Sequence, residues 1–156
     1  MKLKNILLVV KNPESSLVFY HDLFGLYKIR DLGGNIILTD GLVLQEEALW
    51  KEFIGKDLPA ERCASLLYFE ERDIEGFLQK LEALYPGSTS IDSLSPGRAK
   101  ANHPFPHLAH PLTDLGDSRR ALWLYDLDGN LLEVRTPEAG EIKQPLRLIT
   151  PSHPEE

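Results

Sequence analysis

Hydrophobic and polar positions along this chain fall into blocks that start over partway through. "NILLVV", residues 5–10, is a short apolar run rich in branched residues, the pattern of a buried strand. "KNPESS" then predicts a helix start, with Asn12 as N-cap and Pro13 at the first helical position. In "PESSLVFYHDLFG" the residues Leu17, Phe19 or Tyr20, Leu23 and Phe24 keep helical spacing, and Gly25 is a natural C-cap. Three short strands follow: "LYKIRDL", "NIILTD" and "LVLQE". Gly33-Gly34 and Asp40-Gly41 supply the turns, because glycine accepts positive φ. "EALWKEFIG" predicts a short connecting helix, and Leu58-Pro59 marks a linker. Then "CASLLYFEE" reads as a strand. "RDIEGFLQKLEALYPG" reads as a helix with Ile74, Phe77, Leu78, Leu81 and Leu84 on one apolar face.

The restart holds position by position. Asn12 against Asp73 is an offset of 61, which lays Pro13-Glu14 over Ile74-Glu75 and pairs Asn5 with Leu66. Asp40-Gly41 against Asp128-Gly129 is an offset of 88, which places Gln45 on Glu133. The chain thus reads as two copies of one β-α-β-β-β unit, an α+β arrangement. The second copy is about 27 residues longer between its helix and its last hairpin, as the two offsets require. That hairpin, "LWLYDLDGNLLEV", reads as strand, tight turn, strand, with the carboxylate of Glu133 inside an apolar run. The extra length lies in a stretch rich in Pro, Ser, Gly and His, expected as a long irregular loop over about 86–118. Its later part, "HLAHPLTD", is the candidate for the second strand of the second copy. From Thr136-Pro137 onward a tail is expected, with "PLRLIT" as an edge strand or packing segment and "PSHPEE" fraying.

Bulk properties narrow the function. A chain of 156 residues with 42% hydrophobic and 26% charged residues suits a single domain over 1–136. Its modules would span about 3–46 and 62–136, joined by a linker over 47–61, with a tail over 137–156. The net charge of −7, with no run of like charges, offers no basic face for nucleic acid. Cys63 is the only cysteine, so neither an intrachain disulfide nor a thiolate zinc cluster can form. The apolar run Ile6–Val10 is too short for a signal peptide or a membrane span, so a soluble, cytoplasmic protein is expected.

The duplicated unit together with "YDLDGNLLEV" closely resembles the vicinal oxygen chelate superfamily, the glyoxalase, bleomycin-resistance and extradiol-dioxygenase group. Leu127 stands where that signature usually has proline. "NPESSLVFYHDLFGL" and "FEERDIEGFLQKLEALYPG" resemble the family's two helix regions, and the likeness covers roughly residues 3–136. The resemblance implies two modules curled into an open, barrel-like cleft, often completed in a homodimer. It also implies four inward positions that hold a divalent metal (Mn, Ni, Zn or Fe) in metal-dependent members. Carried over, these positions are Asn5, Gln45, Leu66 and Glu133. Only Glu133 keeps the family's ligand chemistry, Gln45 is a weak oxygen donor, Asn5 replaces histidine poorly and Leu66 cannot ligate. The inherited metal site therefore reads as eroded.

Glu133 is the candidate catalytic or ligand-contacting residue, against the plainer reading of a solvated strand carboxylate. Arg135, two residues on and on the same strand face, is its candidate cationic partner. Gln45 and Asn5 are candidate ligand contacts. Trp50, Phe53, Trp123 and Tyr125 are candidate pocket walls or plain core. His103, His107 and His110 have a metal-like spacing, but Pro104, Pro106 and Pro111 prevent a helix there and leave them as loop histidines. Arg98, Arg119 and Arg120 flank the long loop as solvated residues or anion contacts. Cys63 has no activating neighbour in sequence.

Two functions follow. One is a metal-free protein that binds or sequesters a small organic molecule beside Glu133. The other is a metal-dependent lyase, isomerase or dioxygenase on a small oxygen-rich substrate, with Glu133 as ligand or general base. Both expect a small-molecule partner and a homodimer, with no nucleic acid and no membrane.

Overall fold

A computed structural model describes residues 1–58, 65–91 and 105–138. The elements are β1 (Ile6–Val10), α1 (Pro13–Phe24), β2 (Lys28–Asp31), β3 (Asn35–Leu38), β4 (Leu42–Glu46), α2 (Glu47–Ile54), β5 (Leu66–Glu70), α3 (Ile74–Leu84), β6 (His107–Gly116), β7 (Arg119–Tyr125) and β8 (Leu131–Arg135). They build two four-stranded sheets, ordered β1-β4-β3-β2 and β5-β8-β7-β6. In each sheet the first strand lies parallel to the last, and the remaining pairs are antiparallel. This is the α+β architecture of two β-α-β-β-β modules that the repeat predicted.

Local chemistry explains the element ends. The Asn12 side chain accepts the Ser15 N–H at 3.0 Å, Pro13 opens α1, and Gly25 closes it at φ 66°. Asp73 caps α3 through the Gly76 N–H at 2.9 Å. That helix stops at Leu84, short of Gly87. The Glu82 carboxylate accepts from the Gly87 N–H, the Thr89 N–H and the Thr89 hydroxyl, which pulls the chain out of the helical path.

"HLAHPLTD", the candidate second strand of the second copy, is indeed a strand, and β6 runs ten residues within the stretch expected as a loop. It begins just after the cis Phe105-Pro106 bond and pairs with β7 along its length. The ladder shifts register between Leu108 and His110 and again between His110 and Thr113. Pro111 lies in the second shift, where its missing N–H cannot serve the ladder. A two-residue turn, Asp117-Ser118, joins β6 to β7 with φ of 52° and 61°, the left-handed pair that fits the twist of a hairpin. Cys63, Arg98, His103 and the tail beyond 138 lie outside the described residues, as do 59–61 of the linker.

One hydrophobic core serves both modules. Leu8, Val10, Ile36 and Leu44 of the first sheet share it with Leu122, Leu124, Leu132 and Val134 of the second, and α1 and α3 contribute Phe19, Leu23, Phe77 and Leu81. Phe24 of α1 touches Phe69 of β5 and Phe77 of α3, with ring centroids 4.4 and 5.5 Å apart. Polar bonds reinforce the junction. Tyr20 donates its hydroxyl to Asp126 Oδ2 at 2.6 Å, and the Lys11 N–H donates to Asp128 Oδ1 at 2.9 Å. The Ser16 hydroxyl reaches Asp128 Oδ2 at 3.5 Å. The turn of the last hairpin is therefore tied to the first turns of the other module's helix.

Candidate functional site

Side chains alternate between the two faces of a sheet. In the second sheet one face, with Leu67, Phe69, Leu122, Leu124 and Leu132, packs on the core. The opposite face is set by the strand register and forms three rows across four strands. The middle row reads Tyr68, Glu133, Trp123 and His110 from β5 to β6. On one side lie Leu66, Leu131, Tyr125 and His107, and on the other Glu70, Arg135, Ala121 and Thr113. Glu133 is thus an interior position of an otherwise aromatic and polar face, flanked directly by Tyr68 and Trp123.

The Arg135 Nε–H donates to Glu133 Oε1, closing an ion pair along one strand face. Glu133 is only 7% exposed, while the Arg135 side chain is 41% exposed. The guanidinium also lies 5.7 Å from the Tyr68 ring centroid, a cation–π contact. Tyr68 in turn donates its hydroxyl to Glu70 Oε1 at 3.2 Å. Lost hydration, followed by the negative charge and hydrogen bond of Glu70, holds the Tyr68 pKa above the ordinary tyrosine value, so it stays a donor at neutral pH. His110 meets Trp123 edge-on at 5.8 Å, and His107 meets Tyr125 at 5.3 Å while stacking on Phe105.

Of the residues singled out by sequence, the fold thus gathers Leu66, Trp123, Tyr125, Glu133 and Arg135 on one face. Asn5 and Gln45 belong to the first module, and Trp50 to the connecting helix α2. Gln45 is buried between Val9 of β1 and Asn35 of β3, and its Nε2 donates to the Gly34 carbonyl at 3.3 Å. Asn35 keeps a buried Oδ1 without a hydrogen-bond partner. Asn5 is exposed just ahead of β1, and Trp50 is half-buried on α2 with its ring 5.9 Å from that of Phe53. Among the described residues no hydrogen bond, ion pair or ring contact joins these three to Glu133.

The two ladders share one register. Val9 pairs with Gln45 as Tyr68 pairs with Glu133, and Leu7 pairs with Val43 as Leu66 pairs with Leu131. The first strands are thus related by an offset of 59 rather than the 61 of the helix caps, so the structure sets Leu7, not Asn5, against Leu66.

Sequence reasoning missed Tyr68 and His110 as members of this face. Tyr68 was within reach, since it lies two residues after Leu66 and shares its side of the strand. His110 was not, because the register shift in β6 brings it level with Trp123. The structure places His107 and His110 on a strand rather than in a loop. Arg119 pairs with Glu138, and Arg120 holds Glu75 of α3 through both terminal nitrogens.

The four inherited positions do not fit a divalent metal. Leu66 is apolar, Glu133 is met by a guanidinium, the Gln45 amide is tied to a backbone carbonyl, and Asn5 is exposed. Among the described residues no three His, Cys, Asp or Glu side chains cluster as metal ligands. Beside this face, between the edge strands β1 and β5, lies a pocket of about 330 Å³ lined by Ile6, Leu26, Leu42, Leu66, Tyr68 and Phe69. No described helix is long and apolar enough to cross a membrane.

A glyoxalase-like domain family matches residues 3–89, and the chain belongs to it, within the vicinal oxygen chelate superfamily. Solved structures share the fold over most of the chain. A protein of unknown function from Agrobacterium tumefaciens is 24% identical, with 88% of this chain and 95% of that one covered and a TM-score of 0.64. A glyoxalase-related enzyme from Fulvimarina pelagi is 16% identical, with coverage of 87% and 88% and a TM-score of 0.63. A bleomycin-binding protein, solved in complex with bleomycin, is 18% identical, with coverage of 88% and 100% and a TM-score of 0.58. No curated protein matches the chain in sequence.

Proposed function

We propose that this chain is a metal-independent, small-molecule-binding member of the superfamily, acting in the cytoplasm as a homodimer. The ligand lies against the face built by Leu66, Tyr68, Trp123, Tyr125, Glu133 and Arg135. Asn5 and Gln45 of a first module, with Trp50 of α2, contribute the facing wall. The observation that carries this reading is the Glu133–Arg135 pair. The one inherited ligand with full metal-binding chemistry is neutralised by a cation of its own strand, and aromatic rings surround the pair. The bleomycin-binding relative supports a small-molecule role for such a fold.

A binder needs contact area rather than a Lewis acid, and Trp123, Tyr125 and Tyr68 supply it. The metal-dependent lyase, isomerase or dioxygenase alternative lacks a donor set at these positions. The test is metal analysis of protein soaked in Mn, Ni, Zn and Fe and then dialysed, beside aromatic-probe binding in chelator. The expected result is substoichiometric metal and probe binding that persists in chelator and is lost in Trp123→Ala. Stoichiometric metal that disappears in Glu133→Gln would overturn the proposal.

A further inference from the structure

Within that binding reading, on which this inference rests, we propose that the ligand is an aromatic carboxylate and that Arg135 is its anion anchor. A guanidinium has two hydrogen-bonding edges. Arg135 commits its Nε to buried Glu133, and its Cζ lies over the Tyr68 ring, 5.7 Å from the centroid. Its Nη1 and Nη2 make no hydrogen bond or ion pair among the described residues. Arg119 and Arg120 differ, because their terminal nitrogens are engaged by Glu138 and Glu75.

Glu70, the residue level with Arg135 on β5, does not pair with it. Its carboxylate accepts from the Tyr68 hydroxyl instead. The cation is therefore held at its Nε by a buried carboxylate and lies beside a ring, while its side chain stays 41% exposed. A fork held in that way matches a carboxylate through two parallel N–H···O bonds.

The neighbouring row supplies the rest of the ligand's shape. Trp123 lies diagonally from Arg135 across the β7–β8 pair, and such neighbours sit about 7–8 Å apart. That span takes a flat ring and its carboxylate laid end to end, with the ring on Trp123 and the charge at Arg135. Glu133 acts as a positioning residue in this arrangement, since it meets the guanidinium and not the ligand. A cationic ligand would meet a carboxylate that already has its cation.

The experiment titrates the full chain with three probes that share one ring: 2-naphthoate, 2-naphthamide and 2-naphthylmethylamine. Binding is followed by calorimetry and by Trp fluorescence. The expected result is that naphthoate binds about tenfold or more tightly than naphthamide, the return for a charged hydrogen-bonded pair. Arg135→Gln should erase that preference, while Arg120→Gln should leave it intact. Glu133→Gln should weaken naphthoate selectively, because the fork loses its anchor. Equal binding of all three probes, tightest binding of the amine, or a preference that survives in Arg135→Gln overturns the anion anchor alone. Binding of none of the three overturns the binding reading as well.

Discussion

Asp126 is the residue on which the last hairpin turns. It is 1% exposed, and its two oxygens accept from the Tyr20 hydroxyl, the Asp128 and Asn130 N–H groups and the Asn130 side-chain amide. Removing it leaves several buried donors unmet, each costing about 1–3 kcal/mol. Asp126→Ala is therefore expected to lower the unfolding free energy by about 3 kcal/mol or more, read by urea denaturation with Trp fluorescence. Tyr20 adds a pH dependence. Burial first, then the Asp126 charge and hydrogen bond, hold its pKa well above the ordinary tyrosine value. The unfolded chain loses that proton near pH about 10, while the folded chain keeps it. The stabilisation is full below that pH and is lost as pH rises toward the folded value. Unfolding midpoints should fall above pH about 10, and Tyr20→Phe should flatten the fall. Tyr68, and Tyr85 beside Asp22, titrate in the same direction, so part of the slope remains.

Secondary elements were legible wherever the sequence names its own ends. Asn12-Pro13 and Gly25 bracket α1, Asp73 opens α3, and Asp-Gly or Gly-Gly pairs punctuate the strands. Asn12→Ala should accordingly cost about 1 kcal/mol, measured by thermal or urea unfolding. β6 was only partly legible, because its composition is that of a loop. Its pairing with β7 overrides the prolines, and the ladder simply skips Pro111. The Asp117-Ser118 turn is a missed signal, two polar residues after a glycine between strands. Ser118 sits at φ 61°, where a side chain is disfavoured and glycine is not. Ser118→Gly should raise stability by about 0.5–1 kcal/mol, the opposite sign from glycine placed within a strand.

At the scale of the molecule, the outer strands β1 and β5 carry exposed apolar side chains. Ile6 and Leu7 on β1, and Leu66 and Tyr68 on β5, are each more than a third exposed. Clusters of exposed apolar side chains mark interaction surfaces. If the proposed homodimer covers these side chains, Leu66→Asp should shift the dimer toward monomer by sedimentation or light scattering while leaving the fold intact. The face around Glu133 was legible from the repeat and from strand alternation, because both depend on a period of two. The pairing of the first strands was not. The helix caps are related by 61 but β1 and β5 by 59, because the strand-to-helix connections differ in length, so the cap offset sets Asn5 wrongly against Leu66 while Gln45 does stand in its ladder where Glu133 stands in the other. The hairpin turn carries a last consequence. Asp126, Asp128 and Asn130 direct their side chains at the turn itself and at the start of α1, and none of them belongs to the ligand face. As a diagnostic, "DLDGN" reports on assembly: a chain bearing it announces that its halves are stitched together and says nothing about what the cleft accepts. The informative letters for chemistry are those immediately after it, where Glu133 and Arg135 alternate outward, and two chains with the same turn can differ there in every reaction they perform or forgo.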